Sequence, residues 1–106
     1  MNTDFILVLV TTASKEEAEK IAQELLEGKL IACANIISPI NSRFLWSGKI
    51  DCAKECLVVM KSRMDLFGTL VECVKDLHSY KVPEVLALPI VAGSEAYLSW
   101  MGDVLK

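Results

Sequence analysis

The sequence has a single histidine among its 106 residues, so any imidazole-dependent chemistry must run through His78. It has no GxSxG turn around a nucleophile, no GxxxxGK[ST] phosphate loop and no GxGxxG dinucleotide fingerprint. A self-contained enzyme is therefore not expected. Its four cysteines, Cys33, Cys52, Cys56 and Cys73, form no CxxC pair and no zinc-ribbon spacing, which argues against a structural metal site and leaves them as thiols. No apolar run reaches the ~18 residues that a membrane-crossing helix needs, and the longest candidate, Phe5 to Val10, is strand-sized. The net charge is −3 and no basic stripe interleaves with aromatics, so nucleic acid and membrane are not expected partners. The opening Met-Asn-Thr-Asp lacks the basic stretch of a secretory signal, and the expected compartment is the cytoplasm.

What is present is a hydrophobic fraction of 53%, enough to build the core of one domain spanning residues 1–106, with no linker, repeat or low-complexity segment. Asp4 to Thr11 (DFILVLVT) is a β-branched and apolar run that predicts a buried strand. Ser14 with Glu17 forms a capping-box pair, and Ala18, Ile21, Ala22, Leu25 and Leu26 recur at helical spacing before Gly28. Leu30 to Trp46 reads as one arm of a hairpin broken at Ser38-Pro39, with Ser47-Gly48-Lys49 as the turn and a second arm running to Lys61. Ser62 and Asp65 repeat the cap pattern before a second helix with Phe67, Leu70, Val71, Val74 and Leu77 on its apolar face, ending near His78. Glu84 to Val91 predicts another buried strand, and its Pro89 places it at a sheet edge. Ser94 caps a terminal helix presenting Tyr97, Trp100, Met101, Val104 and Leu105 on one face.

The order β-α-β-β-α-β plus a terminal helix predicts an α+β, ferredoxin-like domain with a four-stranded sheet, both main helices on one face, the first and third strands central and the second and fourth at the edges. Two features then point to self-association. The first and last strands are apolar at both parities, yet the two main helices can cover only one face of the sheet, and the terminal helix could supply some of the cover the other face needs. In addition, hairpin arms of some fifteen residues reach ~50 Å at ~3.3 Å per residue, beyond the ~33 Å width implied by a radius of gyration of ~13 Å. Unless bent or bulged at Ser38-Pro39, the arms must pair outside their own domain.

Five stretches, in this order and spacing, resemble the CutA family of divalent-cation tolerance proteins: Val8 to Ile36, Phe44 to Ile50 (FLWSGKI), Glu55 with Met60-Lys61-Ser62, Leu77 to Ile90 (LHSYKVPEVLALPI) and Tyr97 to Trp100 (YLSW). The resemblance covers nearly the whole chain. It implies a ferredoxin-like subunit in a homotrimer whose β edges pair between subunits, an association with tolerance to copper and other divalent ions, and an architecture similar to PII-type signalling proteins. No tightly bound cofactor is implied.

The same resemblance singles out residues. Trp46, Lys49, Glu55 and Lys61 match polar and aromatic positions that in the family gather, with the His-Tyr-Glu segment carrying Tyr80, around clefts between subunits. A cation beside an anion and an aromatic can hold a small charged ligand. The alternative is that Glu55 and Lys61 are interface ion pairs and Trp46 is a packing anchor. His78 and Glu84 offer an imidazole and a carboxylate for a borderline ion such as Cu(II) or Zn(II), although His78 would equally suit a helix C-terminus. Where the family carries a strand-one cysteine that sometimes ligates copper, this chain has Val10, and it reads His78-Ser79-Tyr80-Lys81 in place of His-Pro-Tyr-Glu. Lys81 would repel a nearby cation. Cys52 and Cys56 would sit ~13 Å apart on one face of a strand, too far to share an ion or a disulfide, and Cys33 is expected to be a packed thiol.

Overall fold

The alternation of the first strand is resolved by its neighbours. In the computed structural model, which describes residues 3–106, β1 (Phe5–Thr12) lies antiparallel between two partners; Met1 and Asn2, the start of the stretch read for a secretory signal, fall outside the described residues. The other elements are α1 (Lys15–Glu27), β2 (Cys33–Trp46), β3 (Lys49–Arg63), α2 (Phe67–Leu77), β4 (Val85–Pro89) and α3 (Glu95–Val104), with a 3-10 turn at Met64–Leu66. The sheet order is β2-β3-β1-β4, as the crossover argument expects, with Pro89 on an edge strand. Register sets Ile6 opposite Ser62, Val8 opposite Met60, Val10 opposite Val58 and Thr12 opposite Cys56, and all eight are buried. Ala18, Ile21 and Leu25 of α1, with Leu70 and Val74 of α2, close over that face.

Helix α1 starts as its sequence dictates. The Ser14 hydroxyl accepts the Glu17 N–H at 3.2 Å, satisfying one of the amides that the first turn leaves without a partner. The Glu17 carboxylate reaches back to the Ala13 N–H at 3.1 Å, one residue earlier than in a standard capping box. Leu26, placed with the apolar face by spacing alone, sits at its margin and is exposed.

The hairpin closes through Ser47 (φ 51°) and Gly48 (φ 75°), both left-handed, the geometry that matches the twist of paired strands. Trp46 opposite Lys49 is the last pair, and the register slips between Ile37 and Ile40, a bulge at the Ser38-Pro39 break. Even so, the arms outrun the helices. The molecule measures 44 × 28 × 23 Å, and Leu45 and Trp46, neighbours on opposite faces at 77% and 67% exposed, mark a tip with no cover on either face.

Four expectations are corrected. β4 is not buried: Val85 and Ala87 pack on the core, but Leu86 and Leu88 pair with Leu9 and Leu7 on the face away from the helices and stay 54% and 42% exposed. Ser62 caps nothing. It is the penultimate residue of β3, its buried hydroxyl donates to the Leu30 carbonyl at 2.6 Å, and α2 begins without a side-chain cap while Asp65 pairs with Arg63. Tyr97 and Trp100 lie off the buried face of α3 and meet ring against tilted ring at 5.3 Å, whereas Met101 and Leu105 pack with Ala32. Cys33 is half-buried in polar company, 3.6 Å from the Lys61 ammonium.

The reassignment of Ser62 is testable. Ser62→Ala leaves the Leu30 carbonyl buried without its donor and should lower unfolding free energy by about 1–3 kcal/mol. Asp65→Ala breaks an ion pair open to water and should cost about 0–1 kcal/mol. Urea unfolding at one protein concentration measures both; equal losses would return Ser62 and Asp65 to the role of a cap.

Candidate functional site

A cleft of ≈ 900 Å³ opens between the overhanging hairpin and the segment that follows α2. The hairpin contributes Arg43, Phe44, Trp46, Asp51 and Glu55, and the segment contributes Tyr80, Lys81, Val82 and Glu84, with Thr11 of β1 between them. Of the seven residues expected at a site, Trp46, Glu55, Tyr80 and Glu84 are brought together here; Lys49, Lys61 and His78 do not line it. Lys49 sits at the hairpin turn, exposed and opposite Trp46. Lys61 is paired with Leu7 and Cys33 in the sheet, and its ammonium donates to Asn35 Oδ1 at 2.6 Å.

His78 lies just behind the cleft, its side chain wholly buried. It is the C-cap of α2, with its N–H on the Val74 carbonyl at 2.9 Å. Its Nε2 is 2.7 Å from the Thr11 carbonyl, which can only accept, so Nε2 carries the hydrogen; Nδ1 is then free to accept the Tyr80 N–H at 3.0 Å. Both ring nitrogens are thus used inside the fold. A cation that takes Nδ1 must first displace the Tyr80 amide.

Tyr80 is the bridge between the two walls. Its ring tilts against His78 at 4.8 Å, and its hydroxyl donates to Glu55 Oε2 at 2.7 Å. Burial first, then the bond to Glu55 and the negative charges of Glu55 and Glu17, push the phenol up to about 12.

The sequence reading treated Glu17 only as a helix cap, and the structure gives it more to do. Oε2 accepts the Ser79 N–H at 2.6 Å and lies 3.8 Å from His78 Nδ1, while Oε1 accepts the Ser79 hydroxyl at 3.1 Å. Partial burial opposes the charge on Glu17, but the bonds from Ser79 and Ala13 and the proximity of His78 outweigh it, holding the carboxyl below its ordinary value. Glu17 and Ser79 are 62 positions apart, and no local pattern links them.

Cys52 and Cys56 share a strand parity, yet Cys52 is exposed on the overhang while Cys56 lies under the helices, and all four cysteines are free. Among the described residues, no three His, Cys, Asp or Glu side chains gather closely enough to hold a metal ion. No helix among them is long and apolar enough to cross a membrane.

The family model for the CutA1 divalent ion tolerance protein matches residues 6–104. A chloroplastic CutA protein of Arabidopsis thaliana is 43% identical over 96 residues, 91% of this chain but 53% of that protein, so the chain spans about half the length of this relative. The divalent-cation tolerance protein CutA of Archaeoglobus fulgidus is 42% identical over 99 residues, 93% of this chain and 96% of its own length. The crystal structure of CutA1 from Oryza sativa superposes with a TM-score of 0.95 at 39% identity, covering 99% of this chain and 96% of that one.

The raised phenol gives a pH signature. The folded state keeps the Tyr80 proton through the interval from the ordinary tyrosine value of 10.0 up to about 12, where the unfolded chain releases it. The stability contributed by Tyr80 is therefore complete below that interval and lost as pH rises through it. Unfolding free energy measured against pH should show parent and Tyr80→Phe curves far apart below the interval and converging across it. A constant separation would place Tyr80 outside the Glu55 bond.

Proposed function

The chain belongs to the CutA1 divalent ion tolerance family, and from that premise we propose that it serves divalent-ion tolerance as a cytoplasmic homotrimer that binds ions or small charged molecules without transforming them. The observation that carries this reading is the sheet face turned away from the helices. Register puts Leu7 and Leu9, Leu57 and Val59, Ile37, and Leu86 and Leu88 on that one face. Such a contiguous apolar surface in water calls for a cover, and symmetric copies of the same chain supply one. The overhanging hairpin, with its bare tip, gives each copy an arm to lay on the next. The four free cysteines are compatible with a reducing cytoplasm.

Among the described residues, the donors of one chain do not gather into a closed metal centre, so copper or another divalent cation is held weakly. Glu84 faces the cleft, and His78 joins it only when the Tyr80 amide swings off Nδ1. Carboxylates from a second subunit would complete the set. A second reading is a PII-like response to a small anionic ligand, favoured by the cations Arg43 and Lys81 and the aromatics Phe44 and Trp46 on the cleft walls.

Calorimetry with copper, zinc, nucleotides and organic acids separates the two by sign. If cations are the ligands, Lys81→Glu strengthens binding and Glu84→Gln weakens it. If anions are the ligands, both signs reverse: Lys81→Glu weakens binding and Glu84→Gln strengthens it. A parent protein that binds neither class contradicts both.

A further inference from the structure

We infer that Glu17 is the positioning residue of this cleft, fixing through Ser79 the segment that carries Tyr80 to Glu55. The inference rests on the cleft being the binding site, but its geometry stands without a ligand. Between His78, where α2 ends, and Val85, where β4 begins, the chain has no helix or strand to hold it, and Lys81, Val82 and Glu84 are exposed. The place of Tyr80 is therefore set by what grips the start of this segment. Two grips exist: the Tyr80 N–H on His78 Nδ1, and the Glu17 carboxylate on both the amide and the hydroxyl of Ser79.

Glu17 does more here than cap its own helix. Only Oε1 serves the α1 terminus, at the Ala13 N–H, and it is shared with the Ser79 hydroxyl; Oε2 turns to the Ser79 amide and His78. Bonds from neutral donors to a carboxylate are stronger than those between neutral groups, and this carboxylate is only 13% exposed, so water competes poorly for it. The grip also needs an amide hydrogen at position 79, which proline would not have.

The consequence falls on Glu55. While the segment is held, the Tyr80 hydroxyl occupies Glu55 Oε2. When it is released, the phenol turns to water and both carboxylate oxygens face the cleft. Glu17 thus decides whether Glu55 is masked, from a helix that contributes nothing to the cleft lining.

The sequence has two tyrosines, so Tyr97→Phe leaves Tyr80 as the sole reporter. The tyrosine Raman doublet, whose intensity ratio separates a phenol donating strongly to a carboxylate from one exchanging with water, should show the strong donor in this background and shift to the water-bonded ratio in Glu55→Gln. Glu17→Ala and Ser79→Pro should produce the same shift; Glu17→Gln, nearly isosteric and suited to a case where Ala does not fold, should shift it part of the way. Ser14→Ala is the control, because it removes the 3.2 Å cap of the same helix and leaves the Ser79 contacts. It should lower stability without moving the doublet. An unchanged doublet in the Glu17 variants, or an equal shift in Ser14→Ala, overturns the inference. Calorimetry on the same proteins tells the two claims apart: absent binding with a doublet that responds to Glu17 defeats the cleft as a binding site, and intact binding with an unresponsive doublet defeats the role of Glu17.

Discussion

A pleated strand turns successive side chains to opposite faces, and in β1 both faces are apolar. Two helices cannot cover both. The even positions, from Ile6 to Thr12, disappear under α1 and α2; of the odd positions Phe5 packs against α3, while Leu7 and Leu9 remain half-buried at the centre of a second apolar surface that β3, β2 and β4 extend by register. The rest of the molecule is arranged around this division. Ser62 ties β3 to the Leu30 carbonyl on the covered face, while Leu86 and Leu88 stand outward on the other.

The hairpin adds the second constraint. Its arms leave the helical layer behind, so side chains of either parity meet solvent near the turn, and Cys52 is exposed where Cys56 is buried. The overhang also makes the cleft, because it stands opposite a segment without regular structure. What converts that gap into a site of defined shape is a short chain of hydrogen bonds running from α1 through Ser79 and Tyr80 to β3. His78 belongs to this chain as an acceptor and a donor at once.

Where local pattern governs, the sequence was readable. The strand and helix order, the Ser14 and Ser94 caps and the turn at Ser47-Gly48 follow from period, capping and turn chemistry over a few residues, and the central placement of β1 and β3 from the handedness of the crossovers. The same local rules misled at Ser62, where the cap motif was present but tertiary packing kept the residue in the strand. They misled at β4 as well: a continuous apolar run reads the same whether its second face is covered by the same chain or by another. Resemblance, rather than pattern, drew Trp46, Glu55, Tyr80 and Glu84 toward one place, and the cleft contains all four. Lys61 stands apart because it lies six positions along β3 from Glu55, on the same face but about 20 Å away at ~3.3 Å per residue, beside Cys33. Glu17 could not have been found this way, since its partner is 62 positions distant and joined to it only by the fold.

The central claim is that the uncovered sheet face is where copies of this chain meet. Sedimentation equilibrium of the parent protein and of a Leu86→Glu, Leu88→Glu variant tests it directly, since both side chains are already exposed in the single chain and charge there should spare its core. The account predicts a parent with the mass of three chains and a variant with the mass of one, its circular dichroism unchanged. A parent with the mass of one chain, or a variant that stays trimeric, would contradict it.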